Sequence, residues 1–146
     1  MQDNTKNFGA YMDKTLKIIK LNYLKAFKAL NLDFTAEQWV ILDMLYQKDG
    51  ISQADLANAS SKDAPTVSRI IDLLEKKGLV KRERFEHDRR RYKVFLSEKG
   101  KTDYETALPA VHKLRQQGWQ GLSDEDYTTY LRIMNQIFKN FDESGK

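Results

Sequence analysis

The chain has 146 residues, one domain's worth, with 40% hydrophobic and 32% charged residues and a mean hydropathy of −0.68. That suffices for a core with little to spare. It contains no cysteine, which excludes disulfides, thiolate nucleophiles, Cys-ligated metals and thiol redox sensing. No apolar run approaches the roughly 18 residues of a membrane span. The opening MQDNTKNFGA lacks the basic and apolar regions of a secretory signal, so the expected location is cytoplasmic.

The formal net charge is +4, and it is unevenly spread. Residues 62–101 hold 13 Lys/Arg against 7 Asp/Glu, whereas the rest of the chain holds 12 against 14. A basic segment beside a mildly acidic remainder fits a polyanion-binding surface. It fits a solvated lysine-rich face equally well, and charge alone does not choose between them.

With only 2 Pro and 7 Gly, helix should dominate. Phe8, Met12, Leu16, Ile19, Tyr23, Phe27 and Leu30 recur at steps of three and four, predicting a long amphipathic helix that ends near Asn31. Tyr11, Ile18 and Leu24 widen its apolar face. A second helix opens at Phe34-Thr35-Ala36-Glu37-Gln38-Trp39, where Thr35 can cap, Gln38 can reach back and Phe34 can staple onto Trp39. Leu42, Leu45 and Tyr46 extend its buried face, and Gly50 suits the exit.

Ser52 and Asp55 mark the start of a short third helix. Leu56 and Ala57 face inward, and Asn58 to Ser61 read as a turn. The next helix starts near Asp63, tolerates Pro65 in its first turn, buries Val67, Ile70, Ile71 and Leu74, and stops at Lys76-Lys77-Gly78. Two β-like runs follow, residues 79–84 and 91–96, joined by a charged tip over residues 85–90. Ser97 caps a long helix that Pro109 should kink. Gly118 and Gly121 mark a break, and Ser123 opens a last helix whose stripe runs from Tyr127 to Phe141.

The resulting fold class is mostly α with a small β-hairpin. A short capped helix, a turn, a second helix and a basic hairpin make a winged helix-turn-helix, flanked by N- and C-terminal helices. One helix fits the major groove of duplex DNA, and a thin wing reaches an adjacent groove or the backbone. On the outer face of the 63–77 helix stand Pro65, Arg69, Asp72 and Lys76, beside Thr66 and Ser68. Thr66, Ser68 and Arg69 are the base-edge candidates, with Arg69 suited to guanine O6 and N7. In the wing, Asp88, Arg89, Arg90 and Arg91 are the contact candidates. An arginine there can enter a narrow minor groove, and an acidic residue two positions earlier could hold it by a charge-assisted hydrogen bond.

Residues 32–39, Ser52–Ala57, Pro65–Gly78, Asp88-Arg89-Arg90 and Leu96-Ser97-Glu98-Lys99-Gly100 resemble the MarR (multiple antibiotic resistance regulator) family. The likeness covers nearly the whole chain. Its most specific piece is the D-x-R wing, here Asp88 and Arg90, followed by L-S-E-K-G. The resemblance implies that Arg90 inserts into the minor groove, that Asp88 orients it and that the 63–77 helix is the recognition helix. It implies a single domain over 1–146, with a DNA-binding lobe over 33–100 and a helical dimerisation region over 1–31 and 101–146.

The expected partners are double-stranded DNA, a second copy of the chain and, by resemblance, a small aromatic or anionic effector that releases DNA. The two long apolar stripes independently favour a homodimer, since left bare they form an unusually large patch. Trp39, Tyr11 and His112 could line an effector cleft, but each reads better as a core or interface residue. No cofactor and no metal is expected. With two histidines, no metal spacing, no nucleophile elbow and no phosphate-binding loop, an enzyme is disfavoured. The expected function is a sequence-specific transcriptional regulator, by resemblance a repressor of a pseudo-palindromic operator. The alternative is a winged helix used as a protein–protein interaction module.

Overall fold

Local capping decides where the helices begin. In the computed structural model, which describes residues 5–143, six helices and three strands follow one another. Asn7 caps α1 (Phe8–Ala29) through its side chain. Thr35 caps α2 (Ala36–Gln47) by a reciprocal box: its hydroxyl accepts from the Gln38 amide while the Gln38 side chain accepts from the Thr35 amide. Phe34 and Trp39, both buried, stack with ring centroids 6.3 Å apart, as a hydrophobic staple requires. Ser52 caps α3 (Gln53–Ser60), and Asp63 caps α4 (Ala64–Lys76), with Pro65 in its first turn.

Several limits differ from the sequence reading. The third helix includes Asn58–Ser60 rather than turning there. The chain reverses only at Ser61, whose φ of 58° is left-handed. Ile51–Ser52 forms a short strand, β1, that sequence alone did not signal. It pairs antiparallel with β3 (Asp88–Leu96), which also pairs with β2 (Val80–Phe85), in the order β1-β3-β2. The wing loop is therefore only Glu86-His87, and Asp88, Arg89 and Arg90 belong to the strand rather than to a six-residue tip. The register slips between Arg84 and Phe85, next to that loop.

The core of the unit ending at His112 is continuous. It takes Val67, Ile70, Ile71 and Leu74 from α4, Leu56 and Ala57 from α3, Ile41, Leu42 and Leu45 from α2, and Val80, Val94 and Leu96 from the sheet. Burial at this one face of α4 matches its 3.6-residue period. An aromatic stack crosses the same core: Trp39 lies flat on Tyr104 at 4.5 Å, and the half-exposed Tyr46 covers the other side at 4.2 Å. The Tyr104 hydroxyl donates to Asp43 at 2.5 Å. Burial, that hydrogen bond and the adjacent carboxylate push its titration up, so it stays a neutral donor. The Trp39 indole N–H is buried without a hydrogen-bond partner.

Two glycines are needed where they stand. Gly78 ends α4 with φ of 75°, a conformation glycine adopts without steric cost. At Gly100, in the first turn of α5 (Glu98–Gly118), a Cβ would meet the Leu79 carbonyl oxygen at 2.1 Å. Helix α5 continues unbroken through Pro109.

The second unit runs from Lys113 and contains α6 (Asp124–Phe141), capped by a Ser123–Asp126 box. Trp119 packs edge-on to Tyr127 at 5.3 Å, and its indole donates to the Ser123 carbonyl. No residue of α6 is buried by its own chain, and Tyr127, Tyr130, Leu131, Ile133 and Phe138 are 40–63% exposed.

Candidate nucleic-acid interface

Helix α4 hides one apolar face and leaves the opposite face to solvent. Pro65, Arg69 and Lys76 are exposed there, and Thr66 and Ser68 are half-buried. Pro65, Thr66, Ser68 and Arg69 belong to the N-terminal end of the helix. Lys76 lies ten residues beyond Thr66, roughly 15 Å along the axis, so it stands apart from them. The Thr66 amide donates to Asp63 at 2.7 Å. That bond, helped by the Thr66 hydroxyl and the charge of Arg69, holds the Asp63 carboxyl below its ordinary value. The Thr66 backbone is thereby fixed, while Arg69 remains exposed one turn further along the helix.

At the wing, Arg89, Arg90 and Arg91 are all exposed, and the Arg90 side chain is 93% exposed. Asp88 accepts from the Arg90 backbone amide at 3.1 Å and from its Nε at 3.5 Å. The firmer bond is the backbone one, so Asp88 shapes the chain beneath Arg90 more than it grips the guanidinium. Arg91 lies over the Phe85 ring at 4.4 Å, and Arg84 donates to the Arg89 carbonyl. A cleft of about 200 Å³ brings the wing to the helices, with Gln53 of α3, Ala64 of α4, Arg90, Arg91 and Tyr92 among its walls. The N-terminal end of α4 and the arginine-bearing strand thus face one region of solvent.

Sequence reasoning missed the basic residue best tied into this region. Arg82 of β2 has a side chain only 13% exposed. Its guanidinium bonds Asp72 and the Ser68 carbonyl on α4 and the Gln53 side chain on α3. Strand alternation carried the signal, since Arg82 repeats the inward phase of Val80 two residues earlier. Gln38 was likewise read only as a cap. Its side-chain oxygen also accepts from Lys77 at 3.0 Å, joining the start of α2 to the end of α4.

Of the weaker expectations, Trp39 lies in the core at 2% exposure, and Tyr11 and His112 are exposed. Among the described residues no cluster of three or more His, Cys, Asp or Glu is placed to hold a metal ion, and no helix is long and apolar enough to cross a membrane.

The chain is similar to several known proteins. Residues 34–92 match the MarR family. The Staphylococcus aureus protein MepR, solved in complex with DNA, is similar at a TM-score of 0.80 and 26% identity, over 90% of this chain and 97% of that one. A MarR transcriptional regulator from Methanosarcina mazei Go1 is similar at 0.75 and 26%, over 91% and 94%. The PcaV transcriptional regulator of Streptomyces coelicolor, solved with its natural ligand, shares the fold at 0.82 and 15% identity, over 97% and 99%.

Proposed function

The chain carries a MarR-family winged helix over residues 34–92, and on that premise we propose that it is a dimeric, sequence-specific DNA-binding repressor. One observation supports this reading above the rest. Ala64 at the N-terminal end of α4 and Arg90, Arg91 and Tyr92 of β3 line one cleft of about 200 Å³, and Arg69 is exposed further along the same helix. Helix α4 enters the major groove with Pro65, Thr66, Ser68 and Arg69 toward the bases, and Lys76 meets the backbone at the far end. Arg90, backed by Asp88, reaches the minor groove, where narrowing strengthens the negative potential. Arg89 and Arg91 hold phosphates.

In this reading residues 33–100 form the DNA-binding lobe of a single domain. The helical segments 1–31 and 101–146 supply the contact between two copies. A two-fold dimer presents two recognition helices to half-sites about one helical turn apart. The DNA complex of MepR supports the DNA partner. The ligand complex of PcaV supports a small-molecule effector that releases it. The protein acts by binding, without an enzymatic step, in the cytoplasm.

The test is selection of bound duplexes from a random pool by the purified protein, followed by titration of the winner against salt. Enrichment of a pseudo-palindrome with a steep salt dependence is expected. No enrichment, with weak binding that vanishes as salt rises, would overturn the reading and favour a winged helix that binds an acidic protein.

A further inference from the structure

Arg82 sits inside the most basic stretch of the chain yet has no donor to spare for a phosphate. A guanidinium has five N–H groups. Here Nε donates to the Gln53 side chain at 3.0 Å, and Nη1 faces Asp72 at 2.5 Å and Glu75 at 3.5 Å. Nη2 faces the Ser68 carbonyl at 3.1 Å and its hydroxyl at 3.5 Å. The Arg82 backbone amide adds a bond to Glu75 at 3.3 Å, and the guanidinium lies 5.6 Å from the centre of the Tyr92 ring. One side chain on β2 is therefore tied to α3, α4 and β3 together. The acceptors on α4 run from Ser68 to Glu75, along most of the helix. A planar five-donor fork can satisfy such a set, whereas an ammonium, compact and with three donors, cannot.

We propose that Arg82 is a positioning residue for DNA recognition: it touches no DNA, and it sets the spacing between Arg69 on α4 and Arg90 on the wing. This rests on the DNA-binding reading above. Groove-reading helix and wing each hold only part of the site. Their joint value depends on both reaching their grooves at once, and a loosened hinge between them forfeits it. Releasing the clamp therefore costs selectivity, while the phosphate-facing arginines keep their charge-driven, sequence-blind attraction.

The experiment uses the full-length protein and the duplex it selects, with a scrambled duplex as reference. Arg82→Lys and Arg82→Met are each measured alone and combined with Arg90→Ala, well below the unfolding temperature and across salt. Both variants are expected to lower the ratio of selected to scrambled affinity by about tenfold or more. Affinity for scrambled duplex and the salt slope should stay at wild-type values, since no phosphate contact is lost. In either background Arg90→Ala should cost less than in wild type, because an unclamped wing has already lost its register. A residue that merely holds the fold together would lower the melting temperature and leave the two effects additive.

A salt slope reduced by about one would make Arg82 a phosphate contact and overturn the assignment. An unchanged ratio would overturn it too, as would loss of the folded helical signal in both variants. If the wild type selects no duplex, the DNA-binding reading falls and takes this inference with it. If the wild type selects one and the variants match it, the clamp alone falls.

Discussion

At the scale of single residues, exposure and pairing separate the arginines into different tasks. Arg90, fully offered to solvent over a backbone that Asp88 fixes, should lose DNA affinity on Arg90→Ala without change in thermal stability. The loss is to be read by anisotropy at several salt concentrations, and an affinity unchanged throughout would remove Arg90 from the site. Arg69→Ala should relax base preference at one operator position, costing about 1–3 kcal/mol for a bidentate base contact. A uniform loss over all sequences would make it a phosphate contact instead. Glu37 carries a pH dependence. Its hydrogen bond from Lys20 at 2.7 Å holds its carboxyl below the ordinary 4.5. The stabilisation from this pair is therefore present above that value and disappears as pH falls through the depressed one. Both side chains are 40–45% exposed, so solvent limits the effect to no more than about 0.5 kcal/mol. Wild type and Lys20→Met should differ in stability at neutral pH and converge in acid, once the pH lies below the depressed value; a gap that persists there would refute the pairing.

At the scale of elements, the caps were legible and the tertiary pairings were not. Thr35, Ser52 and Ser123 all cap as their sequence contexts indicated, and the helix start read near Asp63 is capped by Asp63 itself, because a cap is settled within three or four residues. The inward face of α4 was equally plain, since one helical period reports it. Strand β1 has two residues, too short for any alternation, and exists because Ile51 meets Val94 more than forty positions away. The charged strand beyond His87 was read as loop for a related reason. Asp88, Arg89 and Arg90 have no apolar alternation, and the strand reaches them only because Asp88 pairs with Phe85 across the two-residue loop. Arg82 was hidden because its partners lie on two other elements. The contact of α5 with Leu79, just before β2, gives a sharp test: Gly100→Ala would press a methyl into the Leu79 carbonyl, which also accepts from the Ser97 amide. Backbone cannot yield there as a flexible side chain would, so a loss of about 1–3 kcal/mol or more is expected in chemical denaturation. A midpoint matching wild type would mean that the helix start shifts freely.

For the whole molecule, the apolar residues left bare by one chain bear on how many chains assemble. In α1, Leu16, Ile18 and Ile19 are 45–54% exposed, and in α6 Phe138 is 63% exposed. Such faces call for a partner, so the wild type should sediment at twice its 17.1 kDa chain mass. Phe138→Glu should shift it toward a single chain and weaken operator binding, and an intact dimer would show that α6 is not in the contact. The two tryptophans of the sequence have a further use. Trp39 is sealed in an aromatic stack with an unbonded indole N–H, and Trp119 lies in the other unit, bonded to a backbone carbonyl. Their emission should differ in colour and in access to quenchers. The protein thus comes supplied with two intrinsic optical probes, one per unit, and a Trp119→Phe variant would let the winged-helix core be watched alone as DNA or effector is added.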